Sequence, residues 1–193
     1  MRGSRIMDEG CVIWFTGIPA AGKSTVAGRV ERMLREAGLR VENLDSDEIR
    51  ANISPNLGYT PEARDENTKR LAFFGHLLSR NGVCVIVAAV SNQRMFRDRA
   101  RGVVDNFAEV WVKCPLEVCQ RRDPKGLYAR AARGEVNDIA GMHLPYEEPK
   151  APEVILATDR ETVDESVAKV LEYLRHAGLM PAEAAADRGT VPR

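Results

Sequence analysis

Eight consecutive residues, Gly17-Ile18-Pro19-Ala20-Ala21-Gly22-Lys23-Ser24, place two glycines either side of a four-residue turn and follow them with a lysine and a hydroxyl. That pattern suits a bound polyphosphate. Glycines let the backbone wrap tightly, so that successive N–H groups converge on phosphate oxygens. A helix beginning near Lys23 adds its positive end. Lys23 reaches the β- and γ-phosphates, and the Ser24 hydroxyl is a Mg²⁺ ligand. Gly17, Ala20, Ala21, Gly22, Lys23, Ser24 and Thr25 are therefore read as a P-loop for ATP with its Mg²⁺. The alternative, a glycine turn that binds nothing, is disfavoured by context. The motif lies between an apolar run, Cys11–Thr16, and helically spaced Val26, Val30, Met33 and Leu34.

Phosphoryl transfer also needs groups opposite the phosphates. Asp45 and Asp47 follow a second strand-like run, 40–44, and ligands in open α/β sheets sit beyond the carboxyl ends of strands. The expectation is that this strand lies beside the P-loop strand. Either carboxylate there can orient Mg²⁺-bound water or accept a proton from an attacking hydroxyl, in catalysis with Lys23. A plainer role for the pair is a solvated turn in which Asp47 caps a helix beginning at Glu48. Further along, Arg121, Arg122, Lys125, Arg130 and Arg133 cluster near 123–152. This segment, with little core-forming pattern, reads as a basic lid that neutralises charge and excludes water. A solvated charged loop is the alternative.

The elements that must position these groups alternate. Strands are expected at 11–16, 40–44, 83–90, 109–114 and 153–157, and helices at 24–37, 60–80, 93–106, 115–122 and 163–177. Thr60-Pro61 supplies an N-cap and a first-turn proline. Such alternation means an α/β fold, a parallel sheet with helices on both faces. A single P-loop domain is expected over 11–180, with a flexible leader at 1–10 and a disordered tail at 181–193. The 193 residues carry 28 Lys+Arg against 28 Asp+Glu, so no global field favours nucleic acid or an anionic membrane. No apolar run approaches a membrane span. Four cysteines without C-x-x-C spacing read as reduced, buried thiols of a cytoplasmic protein, and His76, His143 and His176 form no metal or triad pattern.

Longer stretches then point to a family. Trp14-Phe15-Thr16-Gly17, Asp45-Ser46-Asp47-Glu48-Ile49-Arg50, Asn56-Leu57-Gly58-Tyr59 and Arg64-Asp65-Glu66-Asn67 are followed by Cys114-Pro115-Leu116-Glu117-Val118-Cys119, Arg122-Asp123-Pro124-Lys125-Gly126-Leu127-Tyr128 and Pro145-Tyr146-Glu147. From about Val12 to Leu174 the chain resembles adenylylsulfate (APS) kinases. The resemblance implies ATP-dependent phosphorylation of the ribose 3′-hydroxyl of adenosine 5′-phosphosulfate, in sulfate assimilation. It implies that Asp45 and Asp47 handle Mg²⁺ and the 3′-hydroxyl. Arg50, Arg64 and Asn67 would hold the acceptor, with Ser91 and Tyr59 beside it. Lys125 would belong to the lid, and Arg122 would lie near the adenine of ATP. The family often forms dimers, so a homodimer is an assembly the resemblance allows.

Departures cluster on the acceptor side. The family's Ser-Pro after the third strand is Ser91-Asn92 here, and in its lid a lysine, an aromatic and an aspartate have become Asn137, Ile139 and His143. The resemblance puts that aromatic against the acceptor's adenine, opposite Tyr59. Ile139 cannot stack, and Asp138 adds a negative charge. These changes raise a second acceptor class, another nucleotide such as a cytidine diphosphate derivative in a specialised biosynthetic pathway. A nucleotide-dependent switch without a small-molecule product is a third reading. The acceptor-like motifs and the small size speak against it.

Overall fold

The computed structural model describes residues 9–181. Most of the leader and tail expected from sequence therefore lies outside the described residues. Five strands, β1 (Cys11–Thr16), β2 (Val41–Asp45), β3 (Cys84–Ala88), β4 (Phe107–Lys113) and β5 (Val154–Ala157), form one parallel sheet in the order β2-β3-β1-β4-β5. Seven helices cover it: α1 (Lys23–Glu36), α2 (Ser46–Asn52), α3 (Pro61–Ser79), α4 (Arg94–Val103), α5 (Leu116–Arg122), α6 (Leu127–Ala132) and α7 (Val163–His176).

Strand periodicity explains the two layers. All six residues of β1 are buried, and alternate ones face opposite sides. Cys11, Ile13 and Phe15 pack with Val26, Val30 and Leu34 of α1 and Val170, Leu171 and Leu174 of α7. Val12 and Trp14 pack with Leu71 and Ala72 of α3 and Ala100 and Val104 near α4. Helix boundaries follow local chemistry. Thr60 caps α3 by accepting from the Ala63 N–H, with Pro61 in the first turn, and α7 opens with a capping box between Thr162 and Glu165.

Three expectations are corrected. Strand β2 does not lie beside β1. It pairs with β3, and β3 pairs with β1. The reason is burial: β3 is buried at every residue, whereas in β2 only Val41 and Leu44 are, so β2 suits an edge. The helix after β2 begins at Ser46, and its cap is Asp45, not Asp47. The segment 123–152 also has a core-forming part. It contains α6 and buries Tyr128, Ala131, Ile139 and Ala140. Its single apolar anchors are too widely spaced to show a period. All four cysteines are free and buried. Among the described residues, no helix is long and apolar enough to cross a membrane.

Candidate active site

The turn between β1 and α1 is shaped by close approach. Gly17 has a φ of 152°, and a Cβ there would lie 2.4 Å from the Val112 carbonyl oxygen of β4, so no side chain fits. Gly22, at φ 102°, is the N-cap of α1 and has no side chain to cap with. The free N–H groups of the first turn therefore remain available to an anion. Lys23 Nζ donates to the Gly17 and Ile18 carbonyls at 2.9 Å each, folding back across the loop. Burial pulls its pKa down to about 8, partly offset by nearby acidic groups including Asp47 and Asp45. A buried ammonium beside an anion-binding loop is a poised phosphate ligand.

This loop floors a cleft of about 1580 Å³. Ala20, Gly22, Lys23, Ser24 and Thr25 line it, as do Asp45, Asp47, Arg50, Tyr59, Arg64, Asn67, Ser91, Arg122, Lys125 and Ile139. Gly17 and Ala21 stand behind that lining, supporting it. The structure thus gathers residues spread over more than a hundred positions.

Their local bonds differ from simple expectation. The Asp45 carboxylate, on the cleft wall, accepts from the Asp47 and Glu48 N–H groups through Oδ1 at 2.8 and 3.4 Å. Asp47 Oδ2 accepts from Lys125 Nζ at 2.6 Å, and this partner raises the Lys125 pKa. Arg50 donates to the Gly58 and Leu57 carbonyls. Arg64 donates to the Tyr59 carbonyl at 2.8 Å and the Asp138 carbonyl at 2.7 Å, with the Asp138 carboxylate 3.6 Å away. Both guanidinium carbons stand over the Tyr59 ring, at 4.6 and 5.5 Å from its centroid.

Ile139 lines the cleft but is only 3% exposed and belongs to the same core cluster as Ile18 and Tyr128. It anchors the 123–152 segment as well as facing the site. Two buried polar atoms on the cleft, Asn67 Oδ1 and Ser91 Oγ, have no hydrogen-bond partner.

Three contributors were missed from sequence. Thr158 Oγ1 donates to the Ala21 carbonyl at 2.7 Å, and Arg122 donates to the Thr158 carbonyl at 2.5 Å, clamping the P-loop from the end of β5. The strand-end rule could have flagged Thr158. Tyr128 donates from its hydroxyl to the Pro19 carbonyl at 3.0 Å, docking the 123–152 segment on the loop. The third is Arg97, buried behind Ser91.

In sequence and in fold the chain is similar to known proteins. The family model described as adenylylsulphate kinase matches residues 9–157. The adenylyl-sulfate kinase of Halothermothrix orenii is 46% identical over 170 residues, covering 88% of this chain and 92% of that protein. A probable bifunctional SAT/APS kinase of Sorangium cellulosum is 42% identical over 92% of this chain, which spans 31% of that longer protein. The solved structure of the Mycobacterium tuberculosis APS kinase CysC in complex with AMPPNP and APS superposes with a TM-score of 0.82 at 39% identity, covering 86% of this chain and 98% of that one. The chain belongs to the adenylylsulphate kinase family of ATP-dependent phosphotransferases.

Proposed function

We propose that this chain transfers the γ-phosphoryl group of ATP to the ribose 3′-hydroxyl of adenosine 5′-phosphosulfate, giving 3′-phosphoadenosine 5′-phosphosulfate. One observation carries the reading. The same cleft joins a P-loop to a second region of arginines and two unpartnered buried polar atoms, Asn67 Oδ1 and Ser91 Oγ. Its volume of about 1580 Å³ exceeds the roughly 300–1,000 Å³ typical of a pocket for one small ligand. Two nucleotides placed end to end suit it better than one. The relatives named for this reaction supply the acceptor.

In this reading the P-loop N–H groups and Lys23 hold the β- and γ-phosphates, while Arg122 and Thr158 fix the loop. Arg50, Arg64 and Asn67 hold the acceptor with its 3′-oxygen in line with the γ-phosphorus. The 3′-oxygen forms a bond to that phosphorus as the bond to the bridging oxygen of ADP breaks. The hydroxyl proton passes to the Asp47 carboxylate, which Lys125 orients. Lys23 and Lys125 stabilise the negative charge spread over the transferring group.

Mg²⁺ fits the donor set. The residues offered are few and are oxygens, the exposed Ser24 hydroxyl and the Asp45 carboxylate. That is what a cation carried on ATP phosphates requires, since Mg²⁺ takes few protein ligands and keeps waters. When bound, it would neutralise phosphate charge.

Acceptor-dependent ADP release tests the proposal. A panel of adenosine 5′-phosphosulfate, AMP and cytidine and uridine 5′-derivatives should give turnover with the phosphosulfate. Background ATPase with every acceptor would refute the kinase reading, and turnover with a pyrimidine derivative alone would reassign the acceptor.

A further inference from the structure

Arg97 is, after Trp14, the bulkiest of the fully buried side chains among the described residues, at 1% exposure. An arginine placed there must satisfy its donors or destabilise the core. It does so by joining three segments. Nε donates to Glu109 Oε1 of β4 at 2.7 Å, Nη1 donates to the Ser91 carbonyl, and Nη2 donates to the Glu147 carbonyl at 2.6 Å. Its guanidinium also stands 5.6 Å from the centroid of the Tyr146 ring. Glu109 is itself tied to Arg101, which grips Glu153 at 2.6 and 2.8 Å. The network thus pairs two cations with two anions, Arg97 and Glu109 buried, Arg101 and Glu153 partly exposed.

A second set of bonds runs between the same two loops without Arg97. Asn92 Nδ2 donates to the Pro145 carbonyl at 3.0 Å, and the Glu147 N–H donates to the Asn92 carbonyl at 2.8 Å. Glu147 Oε2 accepts from the Arg94 N–H at 2.8 Å. Thr16, directly before the P-loop, donates its hydroxyl proton to the Val90 carbonyl at 2.7 Å. The Tyr146 hydroxyl 3.0 Å from Thr16 Oγ1 must then be the donor in that pair. Burial pushes the Tyr146 phenol up to about 12, so it keeps that proton.

Ser91 sits at the centre of this lattice with φ 41°, a left-handed conformation that an L-residue holds only when its surroundings impose it. Its Oγ is buried, unpartnered and on the cleft wall. Apolar packing alone would fill the core as well as Arg97 does. It would not fix two loop carbonyls.

We propose that Arg97 and Asn92 are positioning residues. They lock the 90–94 loop and the segment 145–147 into one unit, and so set Ser91 and the far end of the 123–152 segment for the acceptor independently of the nucleotide. The consequence for turnover rests on the proposed function; the mechanical coupling does not.

The test compares the full-length protein with Asn92→Ala and Tyr146→Phe, using hydrogen exchange of amides in 88–94 and 143–148 together with steady-state kinetics. Loss of one hydrogen bond should speed exchange in both segments together by about 3–10-fold, with 17–25 unchanged in Asn92→Ala. The acceptor KM should rise by a similar factor, with the ATP KM within about twofold. Arg97→Lys, which keeps the charge but not the planar fork, should fall between wild type and Arg97→Met in acceptor KM. Faster exchange in one segment only, equal loosening of the whole sheet, or an ATP KM that rises in step would overturn the proposal. Absence of acceptor turnover in the wild type would instead count against the function, while the exchange data would still decide the lock.

Discussion

At the donor end of the cleft the contacts are made by backbone: the Gly17–Gly22 turn, the first turn of α1, and carbonyls that receive Lys23, Thr158 and Tyr128. At the end proposed to hold the acceptor they are made by side chains from α2, α3, the 90–94 loop and the 123–152 segment, many paired with one another: Lys125 with Asp47, Arg64 with Asp138, Arg50 over Tyr59. A backbone site tolerates little change because glycine geometry defines it. A side-chain site can alter its preference through single substitutions while the fold persists. The departures at Asn92, Asn137, Asp138 and Ile139 fall on the second kind of site.

That contrast is sharpest where an effect should be confined to one end. Lys23→Ala should lower kcat/KM by about 10³-fold, since it removes a donor aimed at the developing charge; retention of even a tenth of the activity would contradict the phosphate-site assignment. Asp47→Asn should lower kcat by about 10²-fold while ATP binding, followed by calorimetry, persists. Arg64→Ala should raise the acceptor KM by about 10–100-fold, the worth of a hydrogen bond to a charged group, with little change in the ATP KM. Equal change in both constants would dissolve the division between the two ends.

A pH series probes the donor end alone. Burial holds the Lys23 pKa near about 8, so the ammonium that attracts phosphate is present below that pH and lost above it. ATP affinity should be flat below pH 7.5, then fall by about fivefold between pH 8 and 9, with proton uptake on binding in that range. A dissociation constant unchanged to pH 9.5 would rule this out. The smallest expected effect is Asp138→Asn. Freeing Arg64 from an exposed carboxylate should lower the acceptor KM by about 2–5-fold, in line with the modest energy of exposed pairs, and the gain should shrink at high salt.

The two ends also differed in how much the amino-acid order revealed. The P-loop was legible because its chemistry is consecutive: Gly17 through Ser24 carry the whole signal, and β1 and α1 follow from continuous burial and helical spacing. The long helix α3 was legible through Thr60 and Pro61. Strand β2 was located well but placed wrongly, because strand order depends on which strand can be buried on both faces, here Cys84–Ala88. Helix α6 was hidden because Tyr128 and Ala131 are its only buried residues. Ile139 showed its identity but not its burial against the core. Arg97 and Glu109 form an ion pair across a helix and a strand, and nothing in their separation of twelve residues marks them as buried partners.

The account's central claim is a single cleft that carries a phosphoryl group from the P-loop to a ribose 3′-hydroxyl. Its most direct test is product analysis by mass and phosphorus NMR after incubation with ATP, Mg²⁺ and adenosine 5′-phosphosulfate. The account predicts one new product, heavier by a single phosphoryl group attached at the 3′-oxygen, formed in step with ADP. ADP appearing with free phosphate and no phosphorylated nucleotide, or phosphate at another position of the acceptor, would contradict it.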